Sequence, residues 1–229
     1  MTTVRLCCLV LVLSGCVGTV PAGDDASGGP SDAKSCPTGS IDDLEDGNQQ
    51  ITAHDGRAGY WYTFADDQGT SIAPDGEFET TDQGAAGSRK AAHIAGRTAD
   101  GKNVWAGMAF SFANPKLPYD ASKYRGIAFY ARHGKGTSPV VKVRLSDTNT
   151  DPMGNRCKDC WNDFGAQLIL TPEWKRYVLL FDEIAQEPGW GEQKEEITAK
   201  ELLELKWQIG TRNVDYDIWV DQIEFVGCP

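Results

Sequence analysis

GIAFYAR at residues 126–132 and VVKVRLSD at residues 140–147 decide the fold. In both segments apolar side chains alternate with polar or larger ones, which is the two-residue period of a β-strand buried on one face. Further strands are predicted at residues 166–170 and 176–181, after a loop and a turn. We interpret the polar faces of these four strands as one binding surface, which the loop at residues 157–164 covers. Arg144 and Asp147 are assigned to the polar face of the second segment.

The rest of the chain predicts an all-β domain. Strand-like segments occur at residues 41–47, 59–65, 90–96, 104–112, 207–210 and 216–226. The spacing Thr198-x-x-Glu201 is typical of a capping box and predicts one short helix through Leu205. About 190 residues from Cys36 onward can bury the core of one β-sandwich. We see no internal repeat, and we expect one domain of two antiparallel sheets at residues 36–229.

The N-terminus predicts export and lipidation. Arg5 precedes the apolar run Leu6–Leu13, which is too short to span a bilayer as a helix. Leu13-Ser14-Gly15-Cys16 resembles a bacterial lipobox, in which cleavage before the cysteine is followed by acylation of its thiol. The alternative is an ordinary signal peptide with a chance cysteine. We expect a signal peptide at residues 1–15, lipidated Cys16, a flexible linker at residues 16–35, and a place in the bacterial cell envelope at the outer membrane or cell surface.

The charge narrows the range of partners. The chain has 22 basic and 33 acidic residues, a formal net charge of −11, and removal of residues 1–15 takes away one more basic residue. This balance disfavours nucleic acid and anionic membrane surfaces as partners. We therefore expect contact with the membrane only through the lipid, and a monomeric domain.

Four cysteines remain once Cys7, Cys8 and Cys16 are assigned to the signal and the anchor. In an exported protein an even number predicts disulfides. Cys36 stands before the first predicted strand and Cys228 after the last, so we pair them, which leaves Cys157 with Cys160. A redox CxxC or half of a zinc site are the alternatives for the second pair. The loop position disfavours the former, and the absence of a second ligand pair disfavours the latter.

Asp221 is anomalous in the last strand. It has the sequence parity of the apolar residues Trp219, Ile223 and Phe225, which directs a carboxylate toward the core unless a bulge intervenes. A buried carboxylate needs a partner. Asp43 and Glu45 lie on the neighbouring first strand, so the three side chains predict a structural calcium site. The alternatives are that Asp221 caps a bulge or pairs with a cation.

Six segments together resemble a known family: IDDLEDG (41–47), GYWYTFAD (59–66), YRGIAFYAR (124–132), VVKVRLSD (140–147), LTPEWKRYVLLFDEI (170–184) and YDIWVDQIEF (216–225). They look like the jelly-roll β-sandwich of family 11 carbohydrate-binding modules. They are also similar to the complex I intermediate-associated protein 30 group and other galactose-binding-like domains. The resemblance implies a concave sheet that binds mixed-linkage β-glucan, and structural calcium. The loop CKDCWNDFG (157–165) is not assigned to that family.

By position, the resemblance assigns Tyr130, Arg132, Arg144 and Asp147 to the cleft, and Asp43, Glu45 and Asp221 to a metal. A sugar site needs an aromatic platform beside charged hydrogen-bond partners. The full set of predicted carbohydrate-binding residues is Tyr62, Trp105, Tyr130, Arg132, Arg144, Asp147, Trp161, Asp163 and Trp190. Each aromatic residue could instead belong to the core, and the cations could be a solvated sheet face. The remaining tryptophans of the strands and turns, Trp174, Trp207 and Trp219, are assigned to structure.

No GxSxG, HExxH or nucleotide-binding motif is present. A glycosidase needs two carboxylates facing each other across a cleft, and Asp147, Asp151, Asp159 and Asp163 could supply them. We favour non-catalytic binding of a β-glucan-like polysaccharide or oligosaccharide. The alternatives are a surface glycoside hydrolase or polysaccharide lyase, and a protein-binding scaffold of the envelope.

Overall fold

Twelve strands form two antiparallel sheets in this computed structural model, which describes residues 33–228. The strands are β1 (Ser35–Asp42), β2 (Trp61–Ala65), β3 (Ser71–Ala73), β4 (Thr80–Asp82), β5 (Lys90–Arg97), β6 (Ala106–Ser111), β7 (Gly126–His133), β8 (Val140–Asp147), β9 (Phe164–Ile169), β10 (Lys175–Leu180), β11 (Leu202–Ile209) and β12 (Asp215–Val226). The all-β, two-sheet prediction is confirmed. The predicted signal peptide, Cys16 and the linker up to residue 32 lie outside the described residues.

The two sheets differ in size and strand order. The seven-stranded sheet runs β10-β7-β12-β5-β3, with β1 also paired to β12 and β4 to β5. The five-stranded sheet runs β2-β6-β11-β8-β9. No helix in residues 33–228 is long and apolar enough to cross a membrane.

The prediction that the four central strands form one surface is wrong. Strands β7 and β10 pair with each other in the seven-stranded sheet, whereas β8 and β9 pair in the five-stranded sheet. The connection at residues 134–139 therefore crosses from one sheet to the other. Tyr130 and Arg132 on β7 consequently face away from the core on the opposite side of the sandwich from Arg144 on β8.

Aromatic rings pack against one another between the two sheets in the core. Trp207 of β11 lies 5.7 Å from Trp61 of β2 and 5.2 Å from Phe129 of β7, measured between ring centroids. Trp61 also stacks on Phe78 at 4.8 Å. Because Trp207 is fully buried, its assignment to structure is confirmed.

The predicted helix after Thr198 is only one 3₁₀ turn, Ala199–Glu201. Thr198 makes no side-chain cap, and the Glu201 carboxylate binds Arg156 and Thr148 instead of closing a capping box. Leu202 already begins β11, which pairs with β6 on one side and β8 on the other. Pairing in the middle of a sheet overrides the local helix signal.

Both predicted disulfides are present. Cys36 on β1 bonds Cys228, just after β12, and the two strands are neighbours in the sheet. Cys157 bonds Cys160 within the loop that connects β8 and β9. The first links the two ends of the described domain, and the second restrains the segment that leads to Trp161.

Candidate functional site

The outer face of the five-stranded sheet carries a row of polar and small residues. In register across the five strands lie Tyr62, Ala109, Lys206, Arg144 and Gly165. Side chains of the opposite parity, such as those of Val143 and Trp207, point into the core. The small residues at 109 and 165 leave room for long side chains and loops above the sheet.

Lys206 is the centre of a buried ion network on this face. Its Nζ lies 2.7 Å from Asp163 Oδ2 and 3.2 Å from Glu204 Oε1. Lys116, from the loop after β6, contacts the other oxygen of Glu204 and lies 2.6 Å from Asp151 Oδ2. Charges removed from water are stable only when they are paired in this way, so these residues depend on one another.

The electrostatic balance favours a protonated Lys206. Burial opposes the charge, but Asp163 and Glu204 outweigh that effect and raise the pKa of Lys206 above its ordinary value. Burial also works against ionised Glu204, yet Lys206 and Lys116 hold its pKa below the ordinary range. Burial raises the pKa of Asp163. For Tyr62, burial and the neighbouring Glu204 raise the pKa of the phenol, so it remains a neutral donor.

A second group of charges lies beside the first, around Glu187. Arg144 donates from Nη1 to the Asp163 carbonyl at 3.2 Å, and its other terminal nitrogen contacts Glu187 Oε1. Lys142 contacts the same oxygen. Burial opposes ionisation of Glu187, but the hydrogen bond from Lys142 and the charge of Arg144 keep the pKa of Glu187 below its ordinary value. The loop after β10 thereby covers the cations of β8.

Two tryptophans stand above these charges. Trp161 is 57% exposed and Trp190 is 42% exposed. Lys206 Nζ lies 5.6 Å from the centroid of the Trp161 ring, within the range of a cation–π contact. The Trp161 backbone has a φ of 76°, which is uncommon for a bulky residue, and its N–H donates to the Thr150 carbonyl at 2.8 Å. Trp190 donates from Nε1 to Glu187 Oε2 at 3.2 Å.

Asn162 holds the two tryptophan loops together. Its Nδ2 donates to the carbonyls of Glu187 and Trp190, both at 2.7 Å, and its Oδ1 accepts from the Glu187 N–H at 3.0 Å. Both the nitrogen and the oxygen of this buried side-chain amide thus hold the loop of Trp190 against the segment that carries Trp161. The exposed indoles are held in place by the backbone rather than by burial.

The space beneath Trp161 is filled by the protein's own side chains. Arg144 is 6% exposed, Lys206 7% and Asp163 1%. A sugar placed directly on these cations, as the sequence predicted, does not fit this structure, because carboxylates and loops already cover them. The exposed tryptophans on this face are the two loop indoles and Trp105, which is 37% exposed and continues the outward parity of β6. The side chains of Lys142 and Glu187 are also partly exposed.

Asp147 does not belong to the polar face. It shares the parity of Leu145, lies opposite Leu202 and is fully buried. Its oxygens accept hydrogen bonds from the backbone N–H groups of Asn149 at 2.9 Å and Thr198 at 2.7 Å. Its role is to fix the turn after β8, and the prediction that it lines the cleft is wrong.

The predicted calcium ligands are occupied by protein donors. Asp221 lies on the outer side of β12, and the bulge that follows it, at Gln222 with a φ of 51°, returns Ile223 to the core. Its carboxylate accepts from the N–H groups of Ala85 at 2.6 Å and Gln222 at 2.7 Å. Burial raises the pKa of Asp221 to about 6. The bulge alternative accounts for this residue.

Glu45 is similarly engaged and accepts from the N–H groups of Arg89 at 2.7 Å and Lys90 at 2.8 Å. Asp43 accepts from the Glu45 N–H at 3.2 Å. Within residues 33–228 no three His, Cys, Asp or Glu side chains are grouped to hold a metal ion. A carboxylate set surrounded by N–H donors does not fit the calcium ion that the sequence predicts.

Several residues of this site were not predicted. Lys206, Glu204, Lys116, Glu187 and Asn162 organise the face, yet the segment 202–205 was interpreted as helix. The signal for two of them was present, because Glu204 and Lys206 alternate with Leu205 and Trp207 in the pattern of a half-buried strand. The contacts of Asn162 span 25 and 28 residues of sequence, and no local pattern reveals them.

No protein-family model and no curated protein matches this chain. Solved structures match in fold. A family 11 carbohydrate-binding module of a cellulosomal cellulase of Clostridium thermocellum superimposes with a TM-score of 0.56 at 14% identity, covering 82% of this chain and 94% of the module. A family 11 module of the same organism, in complex with a β-1,3-1,4-mixed-linked tetrasaccharide, gives 0.55 at 12% identity, with coverages of 73% and 89%.

A family 30 carbohydrate-binding module of another cellulosomal cellulase of that organism gives a TM-score of 0.51 at 11% identity, covering 78% of this chain and 96% of the module. These likenesses confirm the jelly-roll sandwich predicted from the six segments. At such identities they show the fold, and the function has to be argued from the residues of the site.

Proposed function

We propose that residues 36–229 form a non-catalytic carbohydrate-binding domain that contacts polysaccharide through Trp161 and Trp190. The observation that carries the proposal is the pair of exposed indoles held rigidly above a buried ion network. An exposed tryptophan that is fixed in place offers a sugar its apolar ring face, with little ordering left to occur on binding. Trp161 can also offer its indole N–H, whereas that of Trp190 already donates to Glu187. The structural neighbours are carbohydrate-binding modules, which supports this choice.

The charged network acts indirectly in this proposal. Lys206, Arg144 and Glu187 set the height and tilt of the indoles, because each contacts a tryptophan or the loop that bears it. Trp105 extends the exposed aromatic surface along the same face. A β-glucan-like chain lying across the loops would stack on the indoles and exchange hydrogen bonds with the loop edges.

The arrangement of carboxylates supports binding rather than cleavage. Of the four predicted candidates, Asp147, Asp151 and Asp163 are buried and engaged by backbone N–H groups or lysines, and only Asp159 is exposed. A glycosidase needs two carboxylates that face a bound sugar from either side.

We also propose that Cys16 carries the lipid and holds the domain at the bacterial envelope. Cys16→Ser, which removes the acylated thiol, should therefore release the protein from membranes.

The test is isothermal titration of the purified protein with mixed-linkage β-glucan, xylan and mannan. We expect heat with at least one polysaccharide, and at least tenfold weaker binding for Trp161→Ala and Trp190→Ala, which corresponds to about 1.4 kcal/mol. Arg97→Ala is the control, because it removes a side chain of the other sheet that is paired with Asp215 and belongs to neither tryptophan loop. Equal binding by all three variants, or no heat across the panel, contradicts the proposal. A co-purifying protein and a melting temperature insensitive to sugars would favour the scaffold alternative.

A further inference from the structure

A stacked row of four side chains crosses the outer face of the seven-stranded sheet. We name it the Trp–Arg row: His93 of β5, Trp219 of β12, Arg132 of β7 and Trp174, which directly precedes β10. Trp219 lies in register with both His93 and Arg132. The rings of His93 and Trp219 are 4.2 Å apart and nearly parallel, at 17°. The guanidinium carbon of Arg132 lies 3.8 Å from the Trp219 centroid and 5.3 Å from that of Trp174.

No carboxylate in residues 33–228 forms an ion-pair contact with Arg132, although the charge of Asp217 acts on it at longer range. The one hydrogen bond of Arg132 there runs from Nη2 to Gln83 Oε1 at 3.0 Å, and its Nε is buried without a partner. The nearby Asp217 is hydrogen-bonded at 2.6 Å to His93. A guanidinium remains charged at all ordinary pH values, and its planar fork matches a carboxylate. Arg132 is therefore a partly desolvated cation fixed between aromatic rings, with no carboxylate bound directly to its guanidinium.

The flanking indoles supply further donors. Within the described part of the chain, neither Trp174 Nε1 nor Trp219 Nε1 donates a hydrogen bond, and neither nitrogen is buried without a partner. Adjacent strands are about 4.8 Å apart, so N–H donors on successive strands are spaced comparably with the width of a sugar ring. The row thus combines one cationic fork with neutral donors on either side.

A separate cavity lies further along β7. Tyr130, two residues from Arg132 on the same face, lines a cavity of about 310 Å³ together with Gln222 and Ala86. Gln83, which binds Arg132, belongs to the same loop as Ala86. The carboxylates of Asp42, Asp43 and Glu224 also line this cavity, beside Arg176. A sugar unit next to the one bound at Arg132 can therefore lie there only if that unit is neutral.

We propose that the Trp–Arg row is a second carbohydrate site, for saccharides that carry a carboxylate group, that is, uronates. Arg132 binds the carboxylate through its fork, and the indole N–H groups of Trp219 and Trp174 bind neighbouring hydroxyls. This proposal rests on the proposed function only for the class of ligand, a carbohydrate. The Trp–Arg row shares no residue with the site around Trp161 and Trp190. A saccharide fits better than an acidic peptide, because a uronate holds its carboxylate and neighbouring hydroxyls on one rigid ring. The backbone carbonyls of a peptide are separated from its carboxylates by flexible side chains, which must be ordered on binding.

The experiment titrates the purified protein with trimers of galacturonate, glucuronate and mannuronate, followed by calorimetry and tryptophan fluorescence. We expect at least one acidic trimer to bind, and a matched neutral trimer to bind at least tenfold more weakly. Arg132→Ala should weaken binding at least tenfold, and Arg132→Lys should recover only part, because lysine lacks the planar fork. Arg97→Ala, an arginine of β5 already paired with Asp215, is the matched control and should bind as the wild type does.

Unfolding curves of each variant test whether it is folded. If Arg132→Ala does not fold, Trp174→Ala, outside the strands, takes its place with the same expected loss. The proposal is overturned if no acidic trimer binds, if the neutral trimer binds equally well, or if an oligoglutamate peptide binds through Arg132 and the uronates do not. Trp161→Ala separates the two proposals, because it should weaken β-glucan binding at least tenfold and leave uronate binding unchanged.

Discussion

The cations on the two outer faces of the sandwich differ in whether they contact carboxylates of the protein. On the five-stranded sheet, Lys206 and Arg144 are buried, contact carboxylates and are covered by loops. On the seven-stranded sheet, Arg132 stacks between Trp219 and Trp174 and has no carboxylate partner among the described residues. Both faces look alike in sequence, as alternating strands with cations on the polar side.

The difference teaches that a cation on the polar side of a strand does not by itself indicate a ligand site. What matters is whether the protein already supplies the counterion. Lys206 is satisfied by Asp163 and Glu204, so its removal damages the fold. Arg132 is not satisfied in this way, so its removal should damage binding more than the fold.

The largest expected effect is that of Lys206→Ala on stability. Removing the ammonium leaves Asp163 and Glu204 buried and facing each other without their shared cation, and such a change costs about 3–5 kcal/mol. Arg132→Ala should cost less, about 1–2 kcal/mol, because the stacking on two indoles is lost but no buried charge is left unpaired. Urea unfolding of the two variants, with unchanged slopes, measures both values.

Lys206→Met serves as a control for the lost aliphatic stem, since it retains the packing and removes the charge. It should be nearly as destabilised as Lys206→Ala. Equal stabilities of the Lys206 and Arg132 variants would show that the two faces do not differ as described.

The second effect is a pH dependence of opposite sign on the two faces. The pKa of Glu204 is held low by the lysines, so its ionised form stabilises the fold above its ordinary pKa, and this contribution is lost as the pH falls through the lower folded value. The pKa of Asp221 is raised by burial to about 6. Its ionisation therefore destabilises the fold as the pH rises from about 4 to about 6.

We thus expect Glu204→Gln to be most destabilising at pH 7 and less so in acid. Asp221→Asn should gain stability relative to the wild type between pH 4 and pH 7, by roughly 1–3 kcal/mol, with solvent screening favouring the lower figure. Unfolding measured at pH 4, 5, 6 and 7 provides the comparison. If the stabilities of the two variants relative to the wild type changed with pH in the same direction, Glu204 would not differ from Asp221 in being paired with lysines.

Much of the fold follows from alternation and from the ends of the chain. The period of two predicts most strands correctly, and the adjacency of first and last strands predicts the disulfide between Cys36 and Cys228. Alternation does not say which sheet a strand joins, and this is why β7 and β8 were placed on one surface. A bulge also reverses parity, and for that reason Asp221 was directed at the core although it lies on the outer side of β12.

The candidate site was less predictable because its covering comes from distant contacts. Asn162 reaches Glu187, and Lys116 reaches Glu204, across long stretches of sequence. Trp161 was identified from its polar loop, but nothing local shows that Lys206 fills the space beneath it. Similarly, Trp219 was assigned to structure, since its partners Arg132 and His93 lie on other strands.

The smallest expected effect is that of Trp161→Ala on stability. The indole is largely exposed, and its contact with Lys206 at 5.6 Å is worth about 0.5–1 kcal/mol. We expect a loss of less than about 1 kcal/mol, and a similar loss for the half-buried Trp174→Ala on the other face. Trp207→Ala is the reference, because a fully buried tryptophan contributes about 3–5 kcal/mol. If Trp161→Ala approached that value in thermal unfolding, the indole would be part of the packing that closes the face, and its exposure would no longer indicate a surface kept for a ligand.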